Sequence, residues 1–191
     1  MNNPEYAYIH IPKTGGISME NALKNIPEIK FFGHGVIFEN VKNLKKIFTI
    51  REPIDRFTSS FFHLKKYKKN RESNIFENPE QLLQSILNLD VRALEFMKVY
   101  DNYHHINGVK ITTDWAFAKQ TSWIFDPWRI LIFENLEEEI SRLNNDLNVN
   151  IVIPHENKSP RTDFTYSQSS IDLIKLIYKD DFELYSTYTN K

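Results

Sequence analysis

The stretch YAYIHIPKTGGIS, Tyr6–Ser18, constrains this chain more than any other. A short apolar and aromatic run, Tyr6–Ile11, is stopped by Pro12. Gly15 and Gly16 follow side by side, and they are two of only five glycines in the protein. The pattern predicts a buried strand, a tight turn, and a helix that Ser18 could cap, running to about Asn25. In such a turn successive backbone N–H groups face inward, and the helix N-terminus adds partial positive charge. Lys13 contributes a full charge, Thr14 and Ser18 contribute hydroxyls, and the bare glycines let an anion approach the backbone. A plain tight turn with an exposed lysine would show the same letters, so the turn needs a second signal.

The rest of the chain alternates strand and helix patterns. Lys30–Phe32 reads as a second strand, closed by Gly33-His34-Gly35, and Lys46–Ile50 as a third. Pro53 suits the first turn of a helix that continues through Lys69. Pro79 opens another helix over Glu80–Asn88, and the region from Asp90 to Gln120 reads as helical with loops. Arg129–Phe133 is a strand. Asn135 and Glu138 resemble a capping box, with Leu136, Ile140, Leu143 and Leu147 lining the face of the helix that follows. A last short strand is expected at Asn150–Ile153, then a polar loop, PHENKSPRTD, and a final helix over Ser170–Tyr185. The alternation implies one α/β domain, residues 1–191, with a central parallel sheet flanked by helices.

Composition narrows the function. Of 191 residues 41% are hydrophobic and 26% charged, an ordinary globular balance, and the formal net charge of −1 gives no basic field for nucleic acid. Cysteine is absent, which removes disulfides and thiolate metal sites and fits a reducing compartment. No N-terminal signal pattern and no apolar run of the length a membrane span needs are visible, so the expected setting is cytoplasmic.

The second signal is IREPIDRFTSSFFH. Arg51 and Glu52 end the third strand, Pro53 starts a helix, and Arg56 lies on that helix with Ser59 or Ser60 at i+3 or i+4. An arginine and a serine at a strand-to-helix junction make a second phosphate site. Two anion sites at neighbouring strand ends suggest one ligand with two separated phosphate-like groups. A nucleoside-triphosphate loop places its lysine after the glycines, whereas Lys13 precedes them, and Arg51 stands where a magnesium-binding acid would follow the strand. Both features argue against a magnesium-dependent kinase.

Together, HIPKTGGIS and IREPIDRFTSSFF resemble the two cofactor signatures of the carbohydrate sulfotransferase family. QTSWIFD, ILIFENLEEEISRL and IYKDDFELY are similar to that family's later segments. The resemblance implies a P-loop-like three-layer fold and the donor 3′-phosphoadenosine 5′-phosphosulfate (PAPS), with 3′,5′-adenosine bisphosphate (PAP) as product and no metal. It implies that Lys13, Thr14, Gly15, Gly16, Ile17 and Ser18 cradle the 5′-phosphosulfate and that Arg51 and Ser59 hold the 3′-phosphate. Arg161, in the late loop, would lie near the same phosphate. Ile17 stands where the family often has Thr, and Glu52 where it often has Asp.

Sulfuryl transfer needs a group at the leaving oxygen, for which Lys13 is the natural choice, and a base for the acceptor hydroxyl. The base should titrate near neutrality, which favours histidine. Of the six, His10 reads as a packed strand residue, His63 lies on the helix after the second signature, and His155 sits in the late loop. His34, in a glycine-flanked loop after the second strand, is favoured, as related enzymes similarly place a histidine there; His104 or His105 is the alternative, and Glu39 is a weaker one. The acceptor expected from the resemblance is a carbohydrate or other hydroxyl compound. Tyr103, Trp115, Trp123 and Trp128 could stack on sugar rings or belong to the core. The basic run Lys65, Lys66, Lys68, Lys69 and Arg71 reads first as a solvated helix face. Two rival readings are a P-loop-type small-molecule kinase and a non-catalytic PAP-binding module.

Overall fold

The computed structural model describes residues 4–34, 38–67, 75–97, 104–106, 109–111, 116–153 and 164–190. Four strands form a parallel sheet: β1 (Tyr6–Ile9), β2 (Ile29–Phe32), β3 (Lys45–Ile50) and, after a small hairpin, β6 (Pro127–Ile132). Their order is β2-β1-β3-β6. All run the same way, but the order of stepping across the sheet reverses at β1 and β3: the chain goes from β1 outward to β2 on one side, then to β3 and β6 on the other. In open α/β sheets that reversal opens a crevice at the carboxyl ends of the strands, where ligands bind.

Alternation along each strand feeds two cores. Ala7, Ile9, Phe48, Ile50, Ile130 and Ile132 face one side and pack with Trp123 and with Leu184 and Tyr185 of α7 (Lys179–Thr189). Tyr8, Ile47 and Leu131 face the other side and pack on Met19 and Leu23 of α1 (Gly16–Leu23) and Ile140 and Leu143 of α5 (Leu136–Leu147). Each fully buried Ile, Leu, Phe or Met among them contributes about 1.5–3 kcal/mol by leaving water. Helices therefore cover both faces of the sheet, the three-layer α/β arrangement. A third cluster joins α2 (Pro53–Tyr67), α3 (Pro79–Leu87), α4 (Val91–Met97) and α6 (Gln168–Ile177) around Phe57, Phe61, Leu83, Phe96 and Ile174. Among the described residues no helix is long and apolar enough to cross a membrane.

Several expectations need correction. Helix α1 begins at Gly16 rather than at a Ser18 cap, because Gly15 adopts φ 84° and turns the chain into the helix earlier. Asn135 makes no side-chain cap bond; it ends a 3₁₀ turn, Phe133–Asn135, that runs directly into α5. Asn150–Ile153 is not a strand. The Asn144 amide accepts from Ile151 N–H at 2.7 Å and donates to its carbonyl at 3.0 Å, taking the bonds a neighbouring strand would have used. The final helix is two helices, α6 and α7, divided at Tyr178, whose hydroxyl donates to Phe117 O. The middle region holds helix α4 and also an antiparallel hairpin, β4 (His104–Ile106) with β5 (Val109–Ile111).

Candidate active site

The turn after β1 is built by short-range bonds. The buried Thr14 hydroxyl donates to Ile11 O at 2.8 Å. Its side chain therefore shapes the loop, and the hydroxyl hydrogen is not directed at a ligand. Lys13 takes φ 67°, a left-handed conformation rare for a residue with a side chain. No side chain caps α1, and its first helical bond runs from Met19 N–H to Gly15 O. The N–H groups of Gly16, Ile17 and Ser18 thus have no partner within the helix. No acid occupies that first turn, and the Ile17 side chain is 64% exposed.

The glycines are required for packing as well as for turning. A Cβ at Gly15 would lie 2.6 Å from Cε2 of Phe133, and one at Gly16 would lie 1.8 Å from the His10 ring. His10 and Phe133 therefore wall the turn on two sides.

Arg51, at the carboxyl end of β3, reaches this turn. Its Nη1 donates to Lys13 O at 3.4 Å, and its guanidinium lies over the Phe133 ring, 4.6 Å from the centroid. The Arg51 backbone is held by one side chain: Gln120 Oε1 accepts from Arg51 N–H at 2.8 Å, and Gln120 Nε2 donates to Arg51 O at 2.9 Å. Lys13 and Arg51, predicted from separate motifs, thus meet at the crevice between β1 and β3.

The remainder of the second signature divides differently from expectation. Arg56 is fully buried and is not at the anion site. Its Nε donates to Pro12 O, and its Nη2 donates to Ala118 O at 2.6 Å and Ala116 O at 3.4 Å. Ser60 shares that inner face and bonds Ala116 O. Glu52 caps α2 by accepting from Asp55 N–H at 2.7 Å, so a carboxylate already fills the helix N-terminus that a phosphate would have used. Ser59 is half-buried. With His63 and Lys66 at i+4 and i+7 it shares another face of α2.

Charges of that face act on the turn. Burial and the cations Arg51, Lys66 and Arg56 together lower the Lys13 ammonium to about 8. Burial, then Lys13, His34 and Lys66, lower His63 to about 4. Burial, then His34 and Lys13, lower His10 to about 3. Burial is the largest cause in each case, and near neutrality the two imidazoles are uncharged; the remaining repulsion, among Lys13, Arg51 and Lys66, is what a bound anion would relieve.

His34 belongs to the same constellation. Its ring lies 4.3 Å from that of His10 and 5.9 Å, edge-on, from Trp123. Its Nδ1 stands 3.3 Å from His10 O. A carbonyl can only accept, so in this bond Nδ1 carries the hydrogen, and in the neutral ring Nε2 is then the nitrogen with the lone pair. The alternative bases His104 and His105 lie on β4, opposite Ile111 and Lys110 of the hairpin. Arg161, His155, Gly35, Lys68, Lys69, Arg71, Tyr103 and Trp115 lie outside the described residues.

Sequence reading missed His10, Gln120 and Phe133 as parts of the site. Signals were present: Phe133 ends the strand expected at Arg129–Phe133, His10 opens HIPKTGGIS and Gln120 opens QTSWIFD. Trp123 is core and braces His34, whereas Trp128 packs on Tyr6 at 4.9 Å. Tyr6 begins β1 and Trp128 lies near the start of β6, away from the carboxyl ends of the strands that carry Lys13 and Arg51.

Searches among curated proteins and among solved structures return no match. The family model described as "Sulfotransferase family" matches residues 3–189, nearly the whole length, and the chain therefore belongs to the sulfotransferase family.

Proposed function

We propose that the protein transfers a sulfuryl group from PAPS to a hydroxyl of a carbohydrate-type acceptor by in-line displacement. The observation that carries this reading is the meeting of Lys13 and Arg51, from the ends of β1 and β3, beside an uncapped helix N-terminus. The donor set fits a ligand with anionic groups at two ends: backbone N–H groups and an ammonium at one, a guanidinium at the other. When bound, PAPS supplies an activated sulfuryl group on a phosphate that leaves readily.

The protein's own groups then have separate tasks. The Gly15–Ser18 backbone and Lys13 hold the 5′-phosphosulfate, and Lys13 meets the charge that develops on the leaving oxygen. Arg51 holds the 3′-phosphate with Ser59, the only serine of the pair whose hydroxyl is not committed to the inner face of α2. The family resemblance assigns Arg161 to the same phosphate. His34, its Nδ1–H directed at His10 O, takes the acceptor proton on Nε2.

The test is transfer of labelled sulfate from PAPS to a panel of glycans and glycosides, beside thermal shifts with PAP, AMP and ATP–Mg²⁺. PAP at 100 times its Kd should stabilise the fold by ~2.7 kcal/mol, a rise in Tm of roughly 5–10 °C. AMP, which lacks the 3′-phosphate, should do much less. Equal shifts from PAP and AMP would refute the donor assignment, and a larger shift from ATP–Mg²⁺ would favour a kinase. PAP binding without transfer to any acceptor would favour a binding module.

A further inference from the structure

The one-turn 3₁₀ segment Gln120–Trp123 touches both halves of the constellation. At its start the fully buried Gln120 amide brackets the Arg51 backbone with two hydrogen bonds. At its end Trp123 presents its ring to His34. The turn is itself held by a buried carboxylate of α7. Asp181 accepts from Gln120 N–H at 2.8 Å, from Thr121 N–H at 3.0 Å and from the Thr121 hydroxyl at 3.1 Å. A second tie, Lys119 to Asp180 at 2.7 Å, lies on the surface and adds little. The carbonyls just before the turn are also occupied, those of Ala116 and Ala118 by Arg56 and that of Phe117 by Tyr178.

We propose that Gln120 is a positioning residue for the site, setting the place of Arg51 under the anchorage of Asp181. The Gln120 amide is matched to the two backbone polar groups of one residue. It donates to the carbonyl and accepts from the N–H of the same residue, as a neighbouring strand would, and so fixes the backbone from which the Arg51 side chain departs. Arg51 lies one residue beyond β3, where the strand ladder no longer holds it. A guanidinium reads a phosphate by directed hydrogen bonds, so small errors in its origin cost affinity. Gln120 touches no ligand in this scheme, and it acts only through Arg51.

The proposal rests on the PAPS reading, and the test separates the two. Kd values for PAP and AMP are measured with the wild-type protein, Gln120→Met and Asp181→Asn, each with its Tm. Gln120→Met keeps the volume and removes both amide bonds. Its preference for PAP over AMP should fall about tenfold, the worth of one charge-assisted contact, while AMP affinity stays within about twofold. A merely structural loss would weaken both ligands together and leave the ratio intact, which would overturn the proposal. Asp181→Asn removes one acceptor of the anchor and should lower the ratio in the same direction by less. If Gln120→Met does not fold, a folded Asp181→Asn with the wild-type ratio overturns the proposal equally. A wild-type protein that binds PAP and AMP alike instead overturns the donor assignment.

Discussion

The imidazole of His10 fills the space that a side chain at Gly16 would need. A Cβ there would lie 1.8 Å from both Cδ2 and Nε2 of His10, and the ring cannot swing away freely, because Phe31 and His34 flank it. Gly16→Ala should therefore cost about 1–3 kcal/mol through overpacking. The check is a double-mutant cycle: in a His10→Ala background the same substitution should cost little. Additive losses would show that Gly16 answers to something other than the His10 ring.

Lys13→Met should lower the transfer rate by on the order of 10²–10³ and remove a pH dependence. In the free protein burial and neighbouring cations hold Lys13 at about 8 rather than 10.5. Between those values the unfolded chain binds more protons than the folded one, so the Lys13 contribution to stability rises with pH. A bound anion favours the charged ammonium, so PAP affinity should fall as pH climbs through about 8. Calorimetric titrations on either side of that pH test this, and an identical slope in Lys13→Met would remove Lys13 from the anion contact.

His34→Ala should slow transfer by ~10²–10⁴ and leave the Kd for PAP unchanged, as befits a base that meets the acceptor and not the nucleotide. Full activity in His34→Ala combined with a dead His105→Ala would move the base to the hairpin strand β4.

Arg56→Met should behave as a folding defect rather than a binding defect. The guanidinium is the donor to Pro12, Ala116 and Ala118 carbonyls. A buried acceptor left without a donor costs about 1–3 kcal/mol. A large fall in Tm with PAP affinity preserved in the surviving folded fraction is expected. The reverse outcome, intact stability with lost affinity, would make Arg56 a ligand contact.

The legible parts of this molecule were those with local causes. Strands β1, β3 and β6 announced themselves as short apolar runs, with Pro12 and Pro53 marking where β1 and β3 give way, and each lies within about two residues of its expected place. Lys13 and Arg51 came together because two motifs at strand ends of one parallel sheet must meet there. The illegible parts depend on partners far along the chain. Spacing could not say that Arg56 and Ser60 point inward while Ser59 shares a face with His63. That choice is made by the carbonyls of Ala116 and Ala118, some sixty positions away. Asn150–Ile153 reads as a strand through its short β-branched run Ile151-Val152-Ile153, yet Asn144 claims the backbone of Ile151.

The clamp between Gln120 and Arg51 also bears on the order in which the molecule assembles. The two residues are 69 positions apart, and β6, the next strand after Gln120, pairs with β3 across a still longer gap, Ile50 with Ile132. Strands β1, β2 and β3 can associate from the first fifty residues alone, but the Arg51 backbone gains its side-chain clamp only when the segment carrying Gln120 docks. Loop closure over that distance comes late in folding relative to local contacts. A chain emerging from synthesis would then have its glycine turn long before the proposed nucleotide site is complete at both ends. Pulse-labelled hydrogen exchange during refolding should show the amides of β1 protected before the amide of Arg51, and simultaneous protection would contradict this order.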